Sequence, residues 1–248
     1  MRMTIKDIAK KANVSITTVS RVLNNKPDVH KKTEEKIQRV IKELGYQPSG
    51  IARGLVLQRT FTIGLIISDI ANPFFPEVAR GIENKIKDHG YSLIFCNTDN
   101  KNEEEKNAIN LLMSKQVDGI TLSLSMKNKD QLNRFEEEQF PVVQIDRYVP
   151  DSGSPAVTVN NIASAYNATK YLIDLGHKKI AHITGDLETK TACDRLQGFK
   201  KALRGAGIEQ RDEWLLKGDY SKQSGYDQMN ALLKLKEKNL QLSLSPMI

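Results

Sequence analysis

From residue 61 to 236, short apolar runs alternate with amphipathic helical stretches, and no other feature constrains the fold as strongly. The run FTIGLII precedes a helical pattern from Phe75 to His89, and YSLIFCN precedes one from Glu103 to Lys115. VDGITLSL leads into a charged helix near Asp130 to Glu138; PVVQID and AVTVN are followed by Ala163 to Leu175; KKIAHIT is followed by Arg195 to Gly205; a last helix runs from Gly225 to Lys236. Strand-helix repetition then predicts an α/β body with a doubly wound parallel sheet, whose ligands bind outside the carboxyl ends of the strands.

Candidate site residues are therefore sought at strand ends. After the first strand stands SDIANPFF, where Asn72 offers a polar group and Phe74 and Phe75 an aromatic wall. After PVVQI come Asp146 and Arg147, and CDRLQGF places Arg195 at the start of a helix. An acid with arginines can grip sugar hydroxyls or a carboxylate in two-point fashion while an aromatic ring covers an apolar face. A carboxylate beside a guanidinium is expected to have a depressed pKa, which makes Asp146 a poor proton carrier.

Enzymatic motifs are missing. The chain has no Gly-x-Gly-x-x-Gly, no phosphate loop and no serine nucleophile elbow, and His177 and His182 are expected on opposite strand faces with no third metal ligand. Cys96 and Cys193 are far apart in apolar-rich segments, as buried free thiols would be. No apolar run approaches a membrane span, and the polar start MRMTIKDIAKKA has no signal-peptide core, so a cytoplasmic protein without a membrane partner is expected. No metal or cofactor is expected.

Charge separates the first quarter from the rest. Residues 1–60 hold 13 Lys and Arg against 5 Asp and Glu, whereas the remainder nets −1 out of a chain total of +7. A compact basic head on a near-neutral body fits a nucleic-acid partner. Thr4 with Asp7 forms a capping pattern, and Ile5, Ile8, Ala9 and Ala12 give an inward stripe for a helix over Ile5 to Ala12. Asn13 tolerates a left-handed turn, Val14 can plug the corner and Ser15 can cap a second helix reaching Asn24. On that helix Val19, Val22 and Leu23 point one way; Ile16, Thr17, Ser20, Arg21 and Asn24 point another. A third helix from Thr33 to Leu44 closes a small core through Ile37, Val40, Ile41 and Leu44. This is a helix-turn-helix pattern, whose second helix enters the major groove: hydroxyls can meet phosphates and bases, Arg21 can fork onto guanine, and Ile16 or Thr17 can touch a thymine methyl.

The stretches TIKDIAKKANVSITTVSRVLNN, GYQPSGIARGLVLQRT and FTIGLIISDIANPFFPEVARGIE resemble the LacI/GalR (lac-repressor) family of bacterial transcription regulators, from Thr4 to about Leu235. The resemblance implies an all-α head on a periplasmic-binding-protein-like body, and a homodimer on a palindromic operator. It also implies a hinge helix that orders on DNA and inserts a leucine into the minor groove, by position Leu55 with Ala52 and Arg53 beside it. The ribose-type branch is further implied to use the NPFF, DR and R set for a sugar or sugar-acid effector, with Asp219 and Tyr220 as additional contacts. The expected division is a DNA-binding domain at 1–48, a hinge at 49–60, and effector-binding subdomains at 61–160 and 161–248. A solute-binding receptor, the rival reading of the body, would need a secretion signal and has no use for the basic head; a sugar-modifying enzyme ranks behind both.

At the tail, KEKNLQLSLSPMI departs from the family pattern, and no strand is expected after the last helix, leaving the second subdomain incomplete. Written in permitted codons and read from the third base, the final ten residues encode Pro-Thr-Ala-Ile-Phe-Val-Ala-Asn-Asp, similar to the family's next strand. A frameshift near Asn239 in a longer repressor is the corresponding expectation, with loss of sugar response and a tendency to aggregate.

Overall fold

The computed structural model describes residues 3–24, 26–46, 54, 57–235 and 241–244. The chain divides into two compact units, residues 1–60 and 61–248.

The first unit holds α1 (Ile5–Ala12), α2 (Ile16–Leu23) and α3 (Lys31–Leu44). The Thr4 backbone N–H and hydroxyl both donate to the Asp7 carboxylate, at 2.8 and 2.7 Å, which fixes the entry to α1. Asn13 takes a left-handed φ of 50°, and the Ser15 hydroxyl accepts from Thr18 N at 3.0 Å, so the turn between α1 and α2 follows its expected chemistry. Ile8, Ala12, Val19 and Ile37 are fully buried at the centre, with Val14, Leu23, Ile41 and Leu44 packed around them. Helix α3 starts at Lys31 rather than Thr33, because the His30 carbonyl already accepts from Thr33 N (2.8 Å) and Glu34 N (3.1 Å). Of the expected hinge, Ala52, Arg53 and Leu55 lie outside the described residues.

In the second unit a five-stranded parallel sheet has the order β2-β1-β3-β4-β5: β1 (Thr62–Ile67), β2 (Ser92–Asn97), β3 (Gly119–Leu122), β4 (Val142–Ile145) and β5 (Ala156–Val157). It is wound by α4 (Phe74–Lys87), α5 (Asn102–Ser114) and α6 (Lys129–Glu137). Along β1, Leu65 and Ile67 pack with Phe75 of α4 while Ile66 packs with Ile109, Leu112 and Phe135 of α5 and α6, so both faces are dry. Gly64 admits α5 closely: a Cβ there would meet Leu112 Cδ1 at 2.5 Å.

A separate three-stranded parallel sheet of order β7-β6-β8 follows α7 (Asn161–Asp174) and comprises β6 (Ile180–Thr184), β7 (Leu215–Lys217) and β8 (Gln241–Leu244). Helix α8 (Lys190–Gly205) covers the face of β6 carrying Ile180 and His182, through Phe199 and Leu203. Helix α9 (Lys222–Lys234) covers Ala181 and Ile183 through Leu232, with Trp214.

Several expectations change here. Helix α8 begins five residues before Arg195, because the Thr189 hydroxyl accepts from Ala192 N and caps the chain there; Arg195 is therefore a second-turn residue. Helix α9 likewise begins earlier, at Lys222, capped by Ser221 Oγ accepting from Ser224 N at 3.0 Å. His177 precedes β6 rather than lying on a strand, and His182 is buried in β6 with its ring stacked on Phe199 at 4.6 Å. Both cysteines are free but half-buried rather than buried. A strand does follow the last helix: β8 pairs with β6 from Ile180↔Gln241 to Ile183↔Leu244, with Leu242 packed against the core of that sheet. Asn239, where the frameshift is expected, lies outside the described residues.

Candidate functional site

Two surfaces gather the expected residues. On α2, Ile16 is 45% exposed, Thr17 and Arg21 are exposed, and Ser20 and Asn24 are half-buried. Asn24 Nδ2 donates to the Ser20 carbonyl at 2.9 Å and binds one end of the stripe together. Thr4 and Ser15 act as helix caps, and their side chains are exposed. Arg21 Nη1 meets Asp28 Oδ2 at 2.9 Å, a contact that helical spacing does not reveal.

In the second unit a cleft of about 290 Å³ lies at the carboxyl ends of both sheets. Asn72, Phe74 and Phe75 arrive from the turn after β1, Asp146 and Arg147 from the end of β4, Arg195 from α8 and Tyr220 from the loop after β7. Val78, Ile145, Val157, Thr158, Val159 and Thr191 complete the lining and were not singled out from the sequence. The Asn72 side-chain oxygen also accepts from Phe74 N at 3.1 Å, and Phe75 is 2% exposed, so its role is shared with the core.

The charged groups are held from behind. Arg147, 5% exposed, donates from Nη1 to Asn100 Oδ1 at 2.7 Å; Arg195, 9% exposed, donates from Nε to Asn161 Oδ1 at 2.8 Å. The guanidinium carbons lie 5.4 and 6.0 Å from the Tyr220 ring centroid, within cation-π range. Tyr220 fits there because residue 185 is glycine, where any Cβ would overlap the ring, and its buried hydroxyl finds no hydrogen-bond partner among the described residues. Asp146 and Tyr220 both hold left-handed φ values, 59° and 73°. Non-glycine residues adopt that conformation at a cost, and it concentrates at binding sites.

Burial pushes the Asp146 carboxyl above its ordinary range, and Arg147 and Arg195 only partly offset it. The expected depression is thus reversed: removal from water outweighs the guanidinium beside it in sequence. Asp219 is not part of the cleft; it is exposed, and its Oδ1 accepts from Ser221 N at 2.8 Å in the turn before α9. Glu105, also unanticipated, is 1% exposed and receives hydrogen bonds from Ser125 N (3.3 Å) and Asn128 Nδ2, with the Arg147 charge near enough to act on it. Asn100, Asn161 and Glu105 carry no motif, because their partners come from remote segments.

Residues 4–49 match the family profile "Bacterial regulatory proteins, lacI family", and residues 60–238 match "Periplasmic binding proteins and sugar binding domain of LacI family". The chain belongs to the LacI family. Catabolite control protein A of Priestia megaterium is 37% identical over 239 residues, covering 96% of this regulator and 72% of that protein. Among solved structures, the lac repressor dimer bound to operator and the anti-inducer ONPF aligns at TM-score 0.85 and 25% identity over 98% of this chain and 74% of the other. A complex of the transcriptional regulator CelR with cellobiose aligns at TM-score 0.63 and 31% identity, covering 94% and 71%. This chain is accordingly a DNA-binding transcriptional regulator whose body is of the sugar-binding type, and its relatives are regulators rather than enzymes. Among the described residues no helix is long and apolar enough to cross a membrane, and no cluster of three metal-ligating side chains occurs.

Proposed function

We propose that this LacI-family member is a cytoplasmic repressor of a carbohydrate-utilisation operon, binding a palindromic operator as a homodimer and responding to a small sugar or sugar acid. Ile16, Thr17, Ser20, Arg21 and Asn24 read the major groove, with Thr4 and Ser15 at the phosphates, while Ala52, Arg53 and Leu55 of residues 49–60 engage the minor groove. Residues 1–48 form the DNA-binding domain, and subdomains 61–160 and 161–248 share the effector.

One observation carries the effector reading: Asp146, Arg147, Arg195, Asn72 and the Phe74 and Tyr220 rings converge on one cleft. Its volume, about 290 Å³, lies at the small end of ligand pockets and suits a compact polar molecule. Aromatic walls cover the apolar face of a sugar ring, and the acid and guanidinium groups take its hydroxyls or a carboxylate. Coupling between cleft and DNA is a free energy, so effector and operator must each change the other's affinity by the same factor.

Selection from random duplexes with the full chain, repeated across a panel of pentoses, hexoses and their acids, tests the proposal. A palindromic consensus whose affinity changes with one panel member is the expected outcome. Recovery of no consensus would overturn the operator reading, and a consensus indifferent to every member would overturn the effector reading.

A further inference from the structure

On the outward side of α2 an acid from the following loop touches the helix's one arginine. Arg21 and Asp28 form an ion pair at 2.9 Å with side chains 54% and 52% exposed. The loop that carries Asp28 is fixed at both ends: Lys26 N donates to the Arg21 carbonyl at 3.0 Å, and Val29 packs into the three-helix core. Asp28 is thereby placed against the last turn of α2. So exposed a pair contributes little to stability, which leaves its position unexplained by folding. A carboxylate is also unfavourable on a surface that meets phosphates, unless it does something there.

A guanidinium has five donors in a rigid fork, and one carboxylate contact leaves the rest free. Held from one side, Arg21 loses rotamer freedom before it meets DNA. Its remaining donors match guanine O6 and N7, the commonest specific contact in the major groove. Docked against phosphate alone, the arginine would bring the Asp28 charge against the backbone.

We infer that Asp28 is a specificity-determining residue: it orients the Arg21 guanidinium for a guanine and penalises sequence-independent docking of the same side chain. This rests on the reading of Arg21 as a base contact. The carboxylate acts through Arg21 and is a positioning residue. It lowers affinity for random DNA while raising discrimination at one G·C pair, an opposition that a merely structural role does not produce.

The test uses the full chain with Asp28→Asn, Asp28→Glu, Arg21→Ala and the Arg21→Ala/Asp28→Asn double variant. Fluorescence anisotropy measures binding to the duplex recovered by selection with the wild-type protein, to its single G·C→A·T variants, and to a random duplex of equal length. Asp28→Asn is expected to bind the random duplex several-fold more tightly and to lose about five- to tenfold of discrimination at one G·C pair. Asp28→Glu should restore part of that discrimination. Arg21→Ala should lose discrimination at the same pair, with no further loss in the double variant. If Arg21→Ala loses it and Asp28→Asn does not, Asp28 has no such role while the arginine reading stands. If Arg21→Ala leaves every pair equally discriminated, the arginine reading falls and this inference with it. Equal weakening of all duplexes by Asp28→Asn would also overturn it, by marking a folding role.

Discussion

Lys127 and Glu188 form an ion pair at 2.5 Å, joining the loop after β3 to the loop after β6 and so tying the two sheets together beside the cleft. Both side chains are about half exposed, at 56% and 47%, so the bridge is screened. A double-mutant cycle with Lys127→Ala and Glu188→Ala should give a coupling of about 0.2–1 kcal/mol by urea unfolding. At about 1 M salt it should vanish. A coupling above that range, or one insensitive to salt, would contradict the assignment as a screened surface pair.

Asp146 should govern part of the acid-side stability. Burial raises its carboxyl pKa from an ordinary 3.8, so folding favours the protonated form. The stability it contributes is fully present below the unfolded pKa and is lost as pH rises through the folded value, the reverse of a salt-bridged carboxylate. Glu105, raised by burial from 4.5, acts in the same direction. Asp146→Asn and Glu105→Gln should each flatten the fall in unfolding free energy as pH rises above the ordinary carboxylate range. An unchanged slope in both variants would show that these carboxyls titrate as they do in the unfolded chain.

Arg147→Ala and Arg195→Ala should each weaken the effector found in the sugar panel by roughly 10- to 150-fold, the equivalent of a charge-assisted hydrogen bond of about 1.5–3 kcal/mol. Operator affinity without effector should hold. Asn100→Ala frees Arg147 from its anchor at 2.7 Å and should produce a smaller loss in the same direction. Calorimetry on the three variants decides it, since unaltered affinity in both arginine variants would move the site elsewhere.

Gly198→Ala should destabilise the body by about 1–3 kcal/mol, as overpacking does. A Cβ there would meet the Ile162 carbonyl oxygen at 2.2 Å and Tyr166 N at 2.9 Å, both backbone atoms of α7 that cannot swing aside. Arg195 stands one turn earlier on α8 and is bonded to Asn161 of α7, so effector affinity should fall together with stability. A thermal midpoint equal to wild type would mean that the two helices can part at no cost.

What the sequence made legible was local. Thr4 with Asp7, Asn13 at the turn and Ser15 as cap act within a few residues, and each is where its chemistry put it. In the first sheet β1 is an apolar run with both faces covered, so its pattern survived intact, whereas Phe95 of β2, Val143 of β4 and Val157 of β5 stay exposed. The short β7 and β8 owe their existence to β6 between them, a tertiary cause that a run of three or four residues cannot announce. Within the cleft, residues flagged by charge or aromaticity converged, while Asn100 and Asn161 stayed invisible because an asparagine acquires its role from an arginine 47 or 34 positions away. The direction of the Asp146 shift was misread for a related reason: adjacency in sequence shows the guanidinium but not the lost water.

The register of β6 has a consequence for the order of events during folding. Ile180 pairs with Gln241 across a long intervening stretch of chain, whereas β7 reaches the same strand over a shorter one. Loop-closure entropy rises with the length enclosed, and non-local strand pairing is correspondingly slow. During synthesis the first sheet can therefore close before β8 exists, but β6, from whose carboxyl end the chain runs to Gly185 and Arg195, stays open along one edge until then. The three helices of the first unit thus form early, and the second sheet is completed only once β8 has emerged.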